Sequence, residues 1–553
     1  MSGAPMSPAI IILGTGALTT ARRIQALYPS AQVYGLAERV AADISYSDFA
    51  SQLRELYQSN RPVIALCAAG IVIRCLAPLL HSKGAEPPVL AVAEDGSAVV
   101  PLLGGLAGVN VLAREIAAAL EVAPAITTSG ELRFDTCVLN PPSGYVLGDI
   151  DQGKRFVSSL LGGETVRIEG AAPWLEQARL PLADDAHLRI RISTDANGSA
   201  DELLIHPRSV VVLDPPADSQ RIHASLAAAG ISAHALACLL CPRERMTDNA
   251  LHGTADSLGV PLRFSDEAAL PFEHQRLESE NLHLAIAAQP VAIHSLGQPR
   301  GRLTVVGLGP GASEFTAPAV KRALQEAEDV LGYETYVTMA GPFRPDQVLH
   351  NSDNREELAR SRHAFELAAS GRRVVVVSSG DPGVFAMAAA VLEALEASSD
   401  PHWHAVELHI LPGISASLAT AAKAGAPLGH DFCMISLSDN LKPWDVIELR
   451  LKHATLADLA LAFYNPISRA RPWQLGRALD VVREQRSPQT VVVLGRDIGR
   501  PAEALTVTTL GELRPEQVDM RTMVIIGSST TRRFAKAGSE VDWVYTPRSY
   551  PGA

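Results

Sequence analysis

The chain of 553 residues is poor in cysteine and in positive charge, and it has no long hydrophobic run. Six cysteines are scattered at 67, 75, 137, 238, 241 and 433, and only Cys238 and Cys241 form a C-x-x-C, in HALACLLCPRER. No second pair stands at a spacing that completes a zinc site, so no metal is expected; buried apolar thiols are the favoured reading over metal or redox chemistry. Lys and Arg number 48 against 60 Asp and Glu, a formal net charge of −12. That balance speaks against a general nucleic-acid binder, and an anionic substrate would have to be held by local Arg or Lys clusters. The opening MSGAPMSPAIIILGTGALTT has no basic segment, and its apolar run is too short for a signal peptide or a membrane span. No nucleic-acid or membrane partner is therefore expected, and the reading is cytoplasmic.

What is present is ample core: 47% hydrophobic and 20% charged residues, in a length that suits roughly three to five domains. Apolar strand-like runs alternate with Ala/Leu-rich helical stretches: AIIIL then TTARRIQALY, PVIALCAAG then IVIRCLAPLL, RRVVVVSSG then GVFAMAAAVLEAL. This is the rhythm of parallel-sheet α/β proteins, here multi-domain. NPPSGYVLGDIDQG (140–153) interrupts the first rhythm, and a polar, strand-poor span follows through DANGSADE. A new αβ unit begins at SVVVLDPP (209–216), and HSLGQPRGR (294–302) reads as a linker punctuated by Gly and Pro. The expected divisions are 1–150, 151–207, 208–296, 302–415 and 416–540.

The stretch VVGLGPGASEFTAPAVKRAL (305–324) reads as strand, glycine turn and helix. Thr316 can cap the helix, Pro318 suits its first turn, and Val320, Leu324, Ala327 and Leu331 line one helical face. The glycines are spaced G-x-G-x-G, not G-x-G-x-x-G, and Pro310 lacks the N–H a phosphate cradle wants. No G-K-[ST] follows, which excludes a nucleoside-triphosphate loop. A dinucleotide site, a plain tight turn and a glycine-lined wall of another cleft remain as readings.

Three further motifs end apolar strands in the same way. They are SSGDPG (378–383), LPGISAS (411–417) and FYNP (463–466). Each alone could be an ordinary turn; together, at strand ends of one αβ region, they favour a binding cleft. With GLGPG, SSGDPGVFAMA, LPGISAS, HDFCMISLSDNLKPW and FYNPISRARPWQL, residues 302–529 resemble the tetrapyrrole methylases of cobalamin biosynthesis, and among them the precorrin-3B C(17)-methyltransferase group. The resemblance implies a two-lobed α/β fold, a homodimer formed through that part, and a precorrin substrate methylated by S-adenosylmethionine with ring contraction. It implies a donor pocket of Pro310, Ser379, Gly380, Asp381, Val384, Ser415, Ala416, Asn465, Gly495, Thr522 and Met523. An Asp beside a sulfonium makes electrostatic sense, although Asp381 could simply cap its turn. Precorrin carboxylates ask for cations, and Lys442, Arg469 and Arg471 are candidates, with a solvated loop as the alternative. Ring contraction asks for proton transfer, for which His430, Asp431 and Asp439 are candidates; a structural histidine is the competing reading.

In the first half, CAAGIVIRCLAPLLHSKGAEPPVLAVAEDGSAVVPLLGGLAGVNVLAREIA (67–117) and GKRFVSSLLGGETVRIEGAAPWL resemble the cobalt-precorrin-5A hydrolases, which open a corrinoid lactone. Two departures stand out. That family carries histidine in a Gly-His-x-Gly-Gly-Ala-Asn turn where this chain has Gly105, and LDPPADSQ replaces a Gly-Cys-Arg-like start in the third unit. Gly105 offers neither base nor side-chain donor, and His81, in LLHSKG, is a poor substitute at a helix end. The leading expectation is a methyltransferase fused to a degenerate hydrolase-like region. The alternatives are an enzyme active at both sites, substrate carrying cobalt at the methylation step, and a non-catalytic corrinoid carrier.

Overall fold

The computed structural model describes residues 7–80, 86–267, 269–279, 282–353, 356–468 and 471–549. The chain divides into two compact units, 1–300 with 344–346 and 301–343 with 347–553.

Among the described residues, three sheets build the first unit. The first runs Ile44–Tyr46, Gln32–Leu36, Ala9–Ile12, Val63–Leu66, Val89–Val92, Val99–Leu103, parallel except for the last strand. AIII at 9–12 and VIAL at 63–66 are buried at every position, because helices cover both faces of a parallel sheet. The second sheet corrects the expectation of a strand-poor middle. Its strands are Tyr145–Leu147, Glu202–Pro207, Leu188–Ile192 and Val166–Glu169. The strand LRIRI hides its nature by carrying charge on one face: Leu188 and Ile190 are buried, while Arg189 and Arg191 pair with buried Glu202 at 2.7 and 3.3 Å. Glu202 is held below the usual carboxylate range: burial opposes ionisation, but the Ser199 N–H and both guanidiniums outweigh it.

The third sheet is ordered Leu262–Phe264, Leu236–Cys241, Val210–Leu213, Leu282–Ala287, His274–Ser279. Cys238 and Cys241 both lie in one strand, three residues apart, so their side chains point to opposite faces and cannot converge on an ion. Burial pushes both thiols up to about 12.

The second unit has two main sheets. One is wholly parallel, in the order Val348–Ser352, Asp329–Tyr333, Arg373–Ser378, Arg302–Gly307, Glu407–Leu411. The other is Phe432–Ser436, Ala460–Tyr464, Thr522–Ile526, Val491–Arg496, Ala504–Thr509. In it Thr522–Ile526 runs antiparallel to both neighbours. The carboxyl ends of Phe432–Ser436, Ala460–Tyr464 and Val491–Arg496 therefore share one edge with the start of Thr522–Ile526. The helix after the GLGPG turn is shorter than its apolar spacing suggested. It spans Pro318–Glu326, and Leu331 belongs to the next strand. Thr316 does not cap it; its hydroxyl donates back to the Leu308 carbonyl at 3.2 Å.

Candidate functional site

Along the carboxyl edge of the parallel sheet, three glycine turns are laced backbone to backbone. Gly309 and Gly380 exchange N–H···O bonds of 3.1 and 2.8 Å. A Cβ on Gly307 would stand 2.4 Å from the Gly380 carbonyl oxygen, and one on Gly413 would stand 2.2 Å from the same atom. Turns that looked independent in sequence are thus one interlocked floor, where side chains would force the strands apart. Asp381 ties it together. One carboxylate oxygen accepts the Gly383 N–H at 2.8 Å and the other accepts the Gly413 N–H at 3.1 Å. The turn-capping role is therefore real, and it joins two turns rather than one.

Ser415 and Ala416 open the helix Ala416–Ala424, whose first N–H groups lack intrahelical acceptors. One is taken by Tyr464, whose hydroxyl oxygen accepts the Ser417 N–H at 3.1 Å and lies 2.9 Å from the Ser417 hydroxyl. The same helix explains Gly495. A Cβ there would lie 2.4 Å from Thr420 Cγ2, so this glycine admits the helix against its strand. It was expected to line the donor pocket; its small size is already required by packing. Met523 is buried and pairs with Gly495 across the sheet, while the Thr522 hydroxyl donates to Asp519 at 2.7 Å. Pro310 is buried, its ring against Gly499 and its carbonyl accepting from Arg500 Nε at 3.2 Å. Ser379 and Val384 are partly buried on the loops that flank Gly380.

The edge of the second sheet is polar. Residues 436–439 (SLSD) are joined by side-chain bonds to Asn465, Arg471 and Gln474. Asn465 Nδ2 donates to Ser436 Oγ at 3.1 Å, Arg471 donates to Ser438 Oγ, and Gln474 Nε2 donates to Asp439 at 3.3 Å. Gln474 is 1% exposed, and its Oε1 has no hydrogen-bond partner among the described residues. Lys442 follows on the same loop. Burial, then the nearby Arg450 charge, lowers its ammonium below the usual lysine range. Its Nζ lies 5.9 Å from the centre of the Phe385 ring.

Two expected residues fall elsewhere. His430 and Asp431 precede Phe432–Ser436, whereas Asp439 follows it. A five-residue strand of roughly 17 Å separates them, so they do not form one catalytic group with Asp439. Instead His430 Nδ1 accepts the Asp431 N–H at 2.8 Å. Arg469 lies outside the described residues, as does His81 of the first unit. The sequence reading passed over Tyr464, Ser417, Phe385, Gln474 and Arg500 as site residues. All but Arg500 stand within or beside the motifs already singled out, but only the fold gives them partners.

In the first unit, Gly104 (φ +83°) and Gly108 (φ +95°) shape the turn, and a Cβ on Gly105 would meet nothing within 4 Å among the described residues. Asn110 donates to buried Glu131 at 2.7 Å, and Arg114 donates to the same carboxylate at 2.6 Å. This is a satisfied structural network at the start of the helix Val109–Leu120.

Residues 302–514 match the family described as Tetrapyrrole (Corrin/Porphyrin) Methylases, and residues 51–131 match Cobalamin synthesis G N-terminal. A Sinorhizobium protein, Precorrin-3B C(17)-methyltransferase, is 51% identical over 253 residues, 46% of this chain and 98% of that one. Cobalamin biosynthesis protein CobIJ of Mycobacterium bovis is 47% identical over 46% of this chain, which spans about half (49%) of its length. A crystal structure of the methyltransferase CobJ is 53% identical, covering 45% of this chain and 100% of its own, with a TM-score of 0.42. Through its second unit the chain belongs to the tetrapyrrole methylase family.

Proposed function

We propose that the second unit methylates precorrin-3B at ring carbon 17 with contraction of the ring, giving precorrin-4 in cobalamin biosynthesis. The observation that carries this reading is 51% identity extending over 98% of a relative so named. The laced floor of Gly307, Gly380 and Gly413 supports it physically, since close backbone packing leaves N–H and C=O groups, not side chains, to face an adenosine.

S-adenosylmethionine supplies an activated methyl group on a sulfonium, so the chain's task is alignment, exclusion of water and proton handling. Pro310, Ser379, Gly380, Val384, Ser415, Ala416, Asn465, Thr522 and Met523 are the residues we propose around the donor, with Gly495 and Asp381 keeping its walls in place. Lys442 and Arg471 are the proposed partners of precorrin carboxylates, and Asp439, held by Gln474, is the proposed proton acceptor. The enzyme acts in the cytoplasm as a homodimer in this reading, consistent with the exposed apolar side chains of Ile414 and Leu418.

The test is methyl transfer from labelled donor by the full chain, with metal-free precorrin-3B and its cobalt-containing counterpart side by side. Transfer to neither defeats the proposal, and preference for the cobalt form redirects it to the metal-bearing substrate. A second reading, lactone opening by the first unit, is favoured by the match at 51–131. Gly105 counts against it.

A further inference from the structure

We propose that Phe385 is a substrate-contacting residue whose ring lies against the face of the tetrapyrrole while the Lys442 ammonium beside it meets a ring carboxylate. The inference rests on the tetrapyrrole reading of the site given above and adds to it a residue and a mode of recognition.

Phe385 is an anomaly in its own backbone. Its φ of +52° lies in the left-handed region, which disfavours a bulky side chain and is the usual domain of Gly, Asn or Asp. Its side chain is nevertheless large, apolar and 51% exposed. Folding gains little from a half-exposed ring, so burial does not account for the strain. Strained residues kept at a cleft edge point to function when the outlier itself is observed.

The surroundings fix the ring rather than cover it. Asp381 accepts the Gly383 N–H with its carboxylate and the Val384 N–H with its carbonyl, at 2.8 and 3.2 Å, so the loop before Phe385 is tied down. The Tyr464 ring stands 5.2 Å away at 57°, and Tyr464 is itself anchored to Ser417. Lys442 Nζ lies 5.9 Å from the ring centre. A flat apolar surface and a cation, both pre-positioned, complement a flat macrocycle rimmed with carboxylates. The adenine of the donor is the other flat partner at this site. Adenine itself carries no carboxylate, and the donor's single one sits at its methionine end, whereas the macrocycle is rimmed with them, which favours the tetrapyrrole.

Phe385→Gly and Phe385→Asn test the idea, because both residues accept the left-handed backbone and remove the ring without adding strain. With the full chain, both variants should raise the precorrin-3B KM by about tenfold, the loss of one ring-stacking contact. The S-adenosylmethionine Kd by calorimetry should stay within about twofold, a change too small to be a lost contact, and Tm should not fall. Phe385→Tyr should restore the KM to near wild type. An unchanged KM in both variants overturns the proposal. So does a loss of donor affinity that parallels the KM, which assigns the ring to adenine. Failure of wild type to transfer methyl would defeat the proposed function instead. Equilibrium titration of precorrin-3B by absorbance would still decide this inference, which predicts weaker binding by both variants than by wild type and is overturned by equal binding.

Discussion

Gly413 and Gly105 both sit in glycine-rich turns at strand ends, one in each unit, and they are glycine for opposite reasons. Around Gly413 there is no room: a Cβ would lie 2.2 Å from one carbonyl oxygen and 2.6 Å from another, those of Gly380 and Gly307. Around Gly105 there is open space, with no atom of the described residues within 4 Å of a Cβ. The flanking Gly104 and Gly108 hold the left-handed turn, so Gly105 is not needed for the backbone. In the second unit glycine is the requirement. In the first it leaves a side chain's space empty, at the position where the resemblance to the cobalt-precorrin-5A hydrolases implies a histidine.

The largest effect should come from breaking this contrast on its crowded side. Gly413→Ala pushes a methyl into backbone that cannot move without parting two turns. We expect a loss of at least about 3 kcal/mol and methyl transfer reduced more than tenfold. Gly105→Ala should change stability by no more than about 0.5 kcal/mol, as for ordinary surface positions. Thermal melts of both variants check the pair, and equal losses would erase the distinction.

The same contrast carries over to activity. The full chain incubated with cobalt-precorrin-5A should release acetaldehyde no faster than buffer, because nothing at Gly105 can activate water. Release well above the buffer rate would mean that another residue serves as base.

Asp381 sharpens the account of the crowded edge. Asp381→Ala strands two backbone N–H groups and should cost about 1–2 kcal/mol. If the carboxylate only ties turns together, donor affinity corrected for the folded fraction stays near wild type. A further drop in affinity, read by calorimetry at low temperature, would restore a direct role toward the sulfonium.

The smallest effect concerns pH and belongs to the first unit. Glu202 binds protons less readily when folded, so it stabilises the folded state above the ordinary carboxylate pKa. That contribution is lost as pH falls through the lowered folded value. Glu202→Gln should therefore flatten the acid side of a melting-temperature profile and leave its alkaline side parallel to wild type.

Much of the architecture was legible because its signals are local. Fully apolar runs such as VVVV at 374–377 announce strands buried on both faces, and the glycine turns mark where those strands end. The middle sheet was not legible, because LRIRI carries arginines whose partner, Glu202, arrives from another strand. His430 and Asp431 stand close to Asp439 in sequence, yet a strand carries Asp439 to the far end of the sheet. Arg500 could not be foreseen at all, since its contact with Pro310 spans 190 residues.

What the sequence determined by itself was composition-bound and motif-bound: an α/β chain, its strand-end turns and the family of its second half. These depend on residues within a few positions of one another, where backbone sterics and hydrophobic period act directly. Only the tertiary structure decided why the glycines are glycines, that Asp381 joins two turns, and that Gly495 makes way for a helix. It also decided that Phe385 bears a strained backbone in the open. Those facts depend on which atoms approach from distant segments, and close packing of the folded chain sets those distances.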